Sequence, residues 1–448
     1  MEEVLHSVRL DIDKCIGCTD CIKRCPTEAI RVRNGKAHIM DERCIDCGMC
    51  IRVCRNHAKK AITEPLDKIN DYKFKVAIPA PTLYTQFRGI VDPNIILTGL
   101  KKLGFDEVFE VARAAEIITE ESKKMLEKGN LLKPVISSAC PAIVKLIQIR
   151  FPSLIPNILP IISPKEAMAR YAKKYLVGKG IKKEDIGVFF ISPCAAKVTN
   201  SKQPQVIDES YVDGVISLKE IYLKLVPVIK TIKEPEILQM SSNTGIGWAH
   251  TGGEGYASGI ENHIAVDGIE NVIKILEKVE NGKLDDVNFI ECLACVGGCL
   301  GGPLTVENCF VSSNRMDKIK KYNSGEGKKR DIPLFDEKID LYWSKPLETK
   351  QVMKLDDDVE KAIEKLEHLE KIYDILPKID CGSCGAPTCR ALAEDIVCGK
   401  ANIEDCVFML RQKVREMAEQ MVTLAQKMPP SISNETINNK ILEKRSSQ

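Results

Sequence analysis

Two stretches near the amino terminus present four cysteines at the same spacing. Cys15, Cys18, Cys21 and Cys25 form C-x2-C-x2-C-x3-C, and Cys44, Cys47, Cys50 and Cys54 repeat it. Three closely spaced thiolates can wrap three irons of a cubane cluster, while the fourth reaches a neighbouring cluster. The expected ligand sets are Cys15, Cys18, Cys21 and Cys54 for one 4Fe-4S cluster, and Cys44, Cys47, Cys50 and Cys25 for the other. Zinc is the competing reading, but it uses two pairs of ligands rather than a fourfold run. Further along, three strand-like runs each lead into cysteine: "PVISSAC" ends at Cys140, "VFFISPC" at Cys194, and "VNFIEC" opens "ECLACVGGCLGGP" with Cys295 and Cys299. Gly297, Gly298, Gly301 and Gly302 in the last loop let backbone approach something bulky, at an entropic cost that needs a reason. Cys140, Cys194, Cys295 and Cys299 thus form a third four-thiolate set, gathered from three distant loops. A last group, "DCGSCGAPTC" with a distant partner, supplies Cys381, Cys384, Cys389 and Cys406.

The elements that must position these thiols follow from the pattern between them. Residues 1–66 carry the repeated blocks; 67–355 alternate short strand-like runs such as "FKVAIPA" and "IGVFFIS" with amphipathic helical stretches, an α/β composition. Parallel strands would deliver the cysteine loops to their carboxyl ends, where open α/β sheets place ligand sites. "SPKEAMARYAKKYLVGKG" predicts a helix with Ser163 as N-cap, Pro164 first, Glu166 completing a capping box and Gly178 as stop. Residues 356–427 read as a charged connector helix, the last cysteine group and a further helix, and 428–448 as a disordered polar tail. The 448 residues balance 65 basic against 63 acidic side chains, which argues against nucleic acid or an anionic membrane as partner. No apolar run is long enough to span a bilayer and the start lacks a signal peptide, so a cytoplasmic location is expected, where grouped cysteines hold metal rather than pair.

The first block pair resembles bacterial two-cluster ferredoxins, with Arg55 where a proline usually follows. The central segment resembles the iron-iron hydrogenases, carried by Ser137 to Pro141 (S-S-A-C-P), Ser192 to Lys197 (S-P-C-A-A-K), Glu291 to Cys299 (E-C-L-A-C-V-G-G-C) and Ala80-Pro81-Thr82. That resemblance implies an H-cluster on Cys140, Cys194, Cys295 and Cys299. This is a 4Fe-4S unit joined through Cys299 to a diiron centre with carbon monoxide, cyanide and an azadithiolate. It also implies Lys197 beside one cyanide and Thr82 donating to the other; an exposed surface lysine is the bland alternative for Lys197. The last cysteine group resembles the small 4Fe-4S domain of corrinoid iron-sulfur proteins, giving three accessory clusters in all, with no ligand role for Cys398.

Departures from the family pattern concern protons. Ala139 stands where a proton-passing cysteine is usual, and a methyl group neither donates nor accepts. By approximate alignment Glu121 remains, but Lys124 replaces a glutamate, Leu159 a serine, Lys165 a glutamine, Ser192 and Leu293 two methionines, and Trp248 a phenylalanine. Slow turnover is expected, with Glu291 and Glu254 as candidates for another proton route; capping or surface carboxylates are the alternative for Glu254. Cys292 and Cys309 read as buried free thiols. The whole arrangement resembles the group D sensory hydrogenases. Its implied partners are H2, protons, a ferredoxin-like or signalling redox protein and cluster-maturation proteins, and a homo-oligomer is compatible. An ordinary catalytic hydrogenase and a non-catalytic iron-sulfur assembly protein are the competing functions.

Overall fold

The computed structural model describes residues 6–330, 339–352 and 354–427, so the tail expected at 428–448 lies outside the described residues. The chain divides into two compact units, residues 1–353 and 354–448.

In the first unit the amino-terminal segment holds two antiparallel pairs. β1 (Val8–Leu10) pairs with β4 (Lys59–Ala61), and β2 (Ile30–Arg33) with β3 (Lys36–Ile39). The segment is tied to the rest of its unit by buried polar contacts. Ser7 N–H donates to Thr199 Oγ1 (2.9 Å), Ser7 Oγ to the Ala195 carbonyl (2.8 Å), and Lys145 Nζ to Asp46 Oδ2 (3.1 Å). A charge pair as buried as Asp46 and Lys145 holds one register, since breaking it would strand a charge in the interior.

Two parallel sheets form the centre. One is ordered β6-β5-β8-β9, from β5 (Phe74–Pro79), β6 (Glu107–Val108), β8 (Ile186–Ser192) and β9 (Gly214–Ser217). The other is ordered β10-β11-β7, from β7 (Val135–Ile136), β10 (His263–Asp267) and β11 (Phe289–Leu293). Every residue of β8 is buried, which is why "IGVFFIS" shows no polar alternation: helices cover both faces of a parallel sheet. The helix Pro164–Gly178 has the expected start and reaches Gly178, but its capping box does not form. Ser163 makes no side-chain cap bond, and Glu166 instead accepts from Ser210 Oγ (2.7 Å) and Tyr211 N–H (2.7 Å). A buried carboxylate takes the strongest donors within reach, and here those come from a distant loop rather than from its own helix start.

The second unit is small. The helix Val359–Ile375, capped by Asp358 on Glu360 and Lys361 N–H, packs Leu369 and Ile372 against Leu392 of the helix Cys389–Val397 and against Cys389 and Cys406. The helix Val407–Gln426 follows directly. Among the described residues no helix is long and apolar enough to cross a membrane.

Candidate active site

β5, β7, β8 and β11 end on one side of the first unit, and the loops leaving them build the site. Thr82 follows β5, Ala139 and Cys140 follow β7, Cys194 and Lys197 follow β8, and Cys295 and Cys299 follow β11. The glycines of the last loop permit this convergence. A Cβ on Gly302 would lie 2.2 Å from the Pro193 carbonyl oxygen, and Leu304 N–H donates to that same carbonyl (3.0 Å). The Cys299 loop therefore lies against the Cys194 loop at a distance only glycine allows. Asp267, at the end of β10, ties two further strands of backbone together, accepting from Thr251 Oγ1 (2.7 Å) and Gly297 N–H (2.8 Å).

Between the loops lies a cavity whose lining includes Thr82, Ala139, Lys165, Lys197, Glu254, Glu291 and Cys299. Lys197 is no surface residue: its Nζ donates to Cys299 Sγ (3.5 Å). Burial opposes its charge, yet the thiolates of Cys299, Cys194 and Cys140 together hold the ammonium above its ordinary pKa. Burial raises the thiols of Cys140 and Cys295, and pushes Cys194 up to about 12. Thiols so buried ionise only beside a compensating cation, here the Lys197 ammonium or a bound metal. Burial raises Cys292 as well, so it is the convergence of Cys140, Cys194 and Cys299 on Lys197 that suits a metal-ligand set. Thr82 Oγ1 is buried at the cavity with no hydrogen-bond partner among the described residues. Buried hydroxyls are nearly always satisfied, so this one lacks a group that the cavity has room to hold.

The carboxylates lie on the cavity's other wall. Glu254 is buried and accepts from Ser137 Oγ (2.5 Å), whose oxygen in turn accepts from Ala139 N–H (3.1 Å). Glu291 accepts from Gly252 N–H and Gly255 N–H, both at 3.0 Å. Burial, then the neighbouring Glu291, pushes Glu254 up to about 8, and burial raises Glu291 as well. The capping or surface reading of Glu254 is thereby corrected, because its carboxyl is enclosed and faces the cavity. Beyond them, half-buried His263 lies edge-on to the exposed ring of Tyr256 (centroids 6.0 Å). By contrast Glu121 is bonded to Tyr342 and Lys124, and the Tyr342 hydroxyl holds its pKa low.

The amino-terminal cysteines also gather in the expected sets. Cys15, Cys18, Cys21 and Cys54 line one cavity; Cys25, Cys44, Cys47 and Cys50 line a second. The second lies toward the active site, since a Cβ on Gly48 would meet the Pro303 ring at 2.5 Å, just past the Cys299 loop. In the other unit Cys384, Cys389 and Cys406 share one cluster of packed side chains, and Cys389 N–H donates to Asp380 (2.6 Å). Cys292 is fully buried, and Cys309 is half-buried rather than buried. It opens the helix Cys309–Gly325. Ser137 carries no local signal of its role, because only the fold sets it between Ala139 and Glu254. Asp267 carries none either, because nothing local marks an aspartate at a strand end as a tie between loops.

Residues 73–258 and 254–303 match the family model "Iron only hydrogenase large subunit, C-terminal domain", and 7–55 match "4Fe-4S dicluster domain". Residues 376–408 match a family of iron-sulfur cluster segments. The periplasmic Fe hydrogenase large subunit of Nitratidesulfovibrio vulgaris is 30% identical over 240 residues, 48% of this chain and 57% of that one. Iron hydrogenase 1 of Clostridium pasteurianum is 24% identical over 377 residues, 67% of this chain and 65% of that one. The cytosolic Fe-S cluster assembly factor nar1 of Aspergillus flavus is 27% identical over 164 residues, 36% of this chain and 28% of that one. The chain spans less than two thirds of the length of each of these relatives. The first family model covers more than half of the chain, with an iron-sulfur segment on either side.

Proposed function

We propose that this chain, which belongs to the iron-only hydrogenase large-subunit family, interconverts H2 with two protons and two electrons at low turnover, in a hydrogen-sensing or regulatory role. The observation that carries the reading is the cavity itself. An ammonium paired with Cys299 and an orphaned Thr82 hydroxyl face it from one side, two buried carboxylates face it from the other, and an alanine occupies the usual relay position.

Cys140, Cys194, Cys295 and Cys299 would hold the cluster, and when bound it supplies a Lewis-acid iron for H2 and a pendant base. The chain's own residues supply the surroundings. Lys197 keeps a fixed positive charge beside Cys299, and Thr82 Oγ offers its hydrogen bond to the bound group. The apolar remainder of the lining, including Val111, Ala112, Trp248 and Leu293, excludes water from a reaction whose protons must be metered. Protons would leave past Ala139 by Ser137 Oγ to Glu254, then Glu291, then His263 and the surface. Ser137 can both accept and donate, and Glu254, raised toward neutrality, can do either at working pH. The step between Ala139 and Ser137 has no side chain to bridge it, which is the reason for expecting slow turnover. Electrons would pass through the cysteine set nearest Pro303, then the set at Cys15, toward a redox partner.

The assembly-factor relative supports a second reading, in which the same fold carries clusters but no diiron centre. Rates of H2 uptake and evolution by the loaded protein, compared with the Glu291→Gln variant, separate the two. Uptake that drops at least tenfold in the variant, with cluster absorbance unchanged, supports the hydrogenase reading; no uptake in either, beside an active control enzyme loaded in parallel, supports assembly.

A further inference from the structure

The helix Val407–Gln426 has no buried residue anywhere along its 20 positions, although it carries more large apolar side chains than a solvated helix needs. Val407, Leu410, Val414, Met417, Met421 and Leu424 follow one another at intervals of three and four, and all six are between 46% and 70% exposed. That is three heptads with a and d apolar throughout, the spacing of a coiled-coil seam, with exposed Phe408 and Val422 beside it. Within its own unit the helix is attached through Cys406 and Met409, and among the described residues of that unit none covers the seam.

The side-chain types say what covers it. The a positions are Val407, Val414 and Met421, and the d positions are Leu410, Met417 and Leu424. Two of the three a positions are β-branched and two of the three d positions are leucine, the combination that favours two parallel strands over three or four. The flanks agree. In a parallel pair each g residue faces the partner helix five positions on, so Lys413 faces Ala418 and Gln420 faces Ala425, and no like charges meet. We infer that the helix Val407–Gln426 forms a parallel two-stranded coiled coil with the same helix of a second copy of this chain. Because Cys406 immediately precedes Val407, the pairing sets the two carboxy-terminal cysteine modules side by side at one end of the coil, about 8–10 Å between helix axes. In a homodimer so built, the modules of the two protomers are neighbours.

Sedimentation equilibrium on the full-length, cluster-reconstituted protein tests this. The wild type is expected at twice the chain mass, dissociating on dilution. A Val414→Glu, Met421→Glu double variant is expected to stay monomeric at concentrations where the wild type is paired, with its iron content and cluster absorbance unchanged. Ala418→Glu is expected to tighten the dimer roughly two- to fivefold at low salt, by facing Lys413 of the other strand, and to lose that gain at high salt. A wild-type monomer at tens of micromolar overturns the inference. So does a dimer that survives the double variant, because its interface then lies elsewhere, and so does an Ala418→Glu change that weakens the dimer.

Discussion

Among single residues, proton supply to the cavity turns on Ala139 and the carboxylates behind it. Ala139→Cys restores a group able to carry a proton into the cavity, and turnover is expected to rise at least about tenfold, within the range a positioned acid or base supplies. An unchanged rate of H2 evolution from fully loaded variant would mean that another step limits. Glu254→Gln should lower turnover on the order of 100-fold, since glutamine cannot pass a proton. The same variant has a signature independent of activity. A glutamate in the unfolded chain titrates near ~4.3, whereas burial and Glu291 raise folded Glu254 to about 8. Between those values the folded chain holds a proton that the unfolded chain has released, so stability from the neutral group is full below the lower value. It is lost as pH rises toward the upper one. Glu254→Gln is accordingly expected to raise the melting temperature at pH 8 and to change it little at pH 5; equal effects at both pH values would argue that the carboxyl is not held neutral. Glu254 was legible in the sequence only as an acid among glycines. Its buried hydrogen-bond donor, Ser137, lies 117 positions away, a contact no local pattern encodes.

At the scale of elements, strands were more legible than their surroundings. "IGVFFIS" and "FKVAIPA" became β8 and β5 because short, mostly apolar runs rich in β-branched and aromatic residues suit strands of a parallel sheet, β8 being buried throughout and β5 over its last four residues. The capping box at Ser163 failed for a reason the window could not hold: Glu166 had better donors in Ser210 and Tyr211. The glycine-rich loop was legible as a close approach, though not as an approach to the Cys194 loop. Gly302→Val places a side chain against the Pro193 carbonyl and is expected to destabilise the loop by about 1–3 kcal/mol. The predicted consequence is selective: infrared bands of a loaded diiron centre should weaken or vanish, while the reduced-state electron paramagnetic signals of the amino-terminal clusters persist. Parallel loss of both would show that the substitution unfolds the unit instead.

For the whole molecule, composition and cysteine spacing made the layout legible early, because four-thiolate sets are written locally in three of the four groups. The remaining set, Cys140, Cys194, Cys295 and Cys299, is assembled by two sheets; strand-like runs ending in cysteine pointed to it, and the family resemblance gave it a role. The attachment of the amino-terminal segment was not legible at all, since Ser7, Asp46 and Lys145 fasten it to its unit through buried contacts of long sequence range. If the second unit carries its own cluster, Cys381→Ser with Cys384→Ser should lower reconstituted iron by about four atoms per chain and leave H2 turnover by an artificial electron donor intact. Iron content equal to the wild type would remove that cluster. The central claim is that the cavity faced by Lys197, Thr82 and the two glutamates holds a hydrogen-reactive diiron centre. The most direct measurement is infrared spectroscopy of protein loaded anaerobically with the diiron cofactor, before and after H2. The account predicts carbon monoxide and cyanide bands that shift when H2 is admitted, with the cyanide bands displaced in Lys197→Met; an absence of such bands, beside a control hydrogenase loaded in the same way, would contradict it.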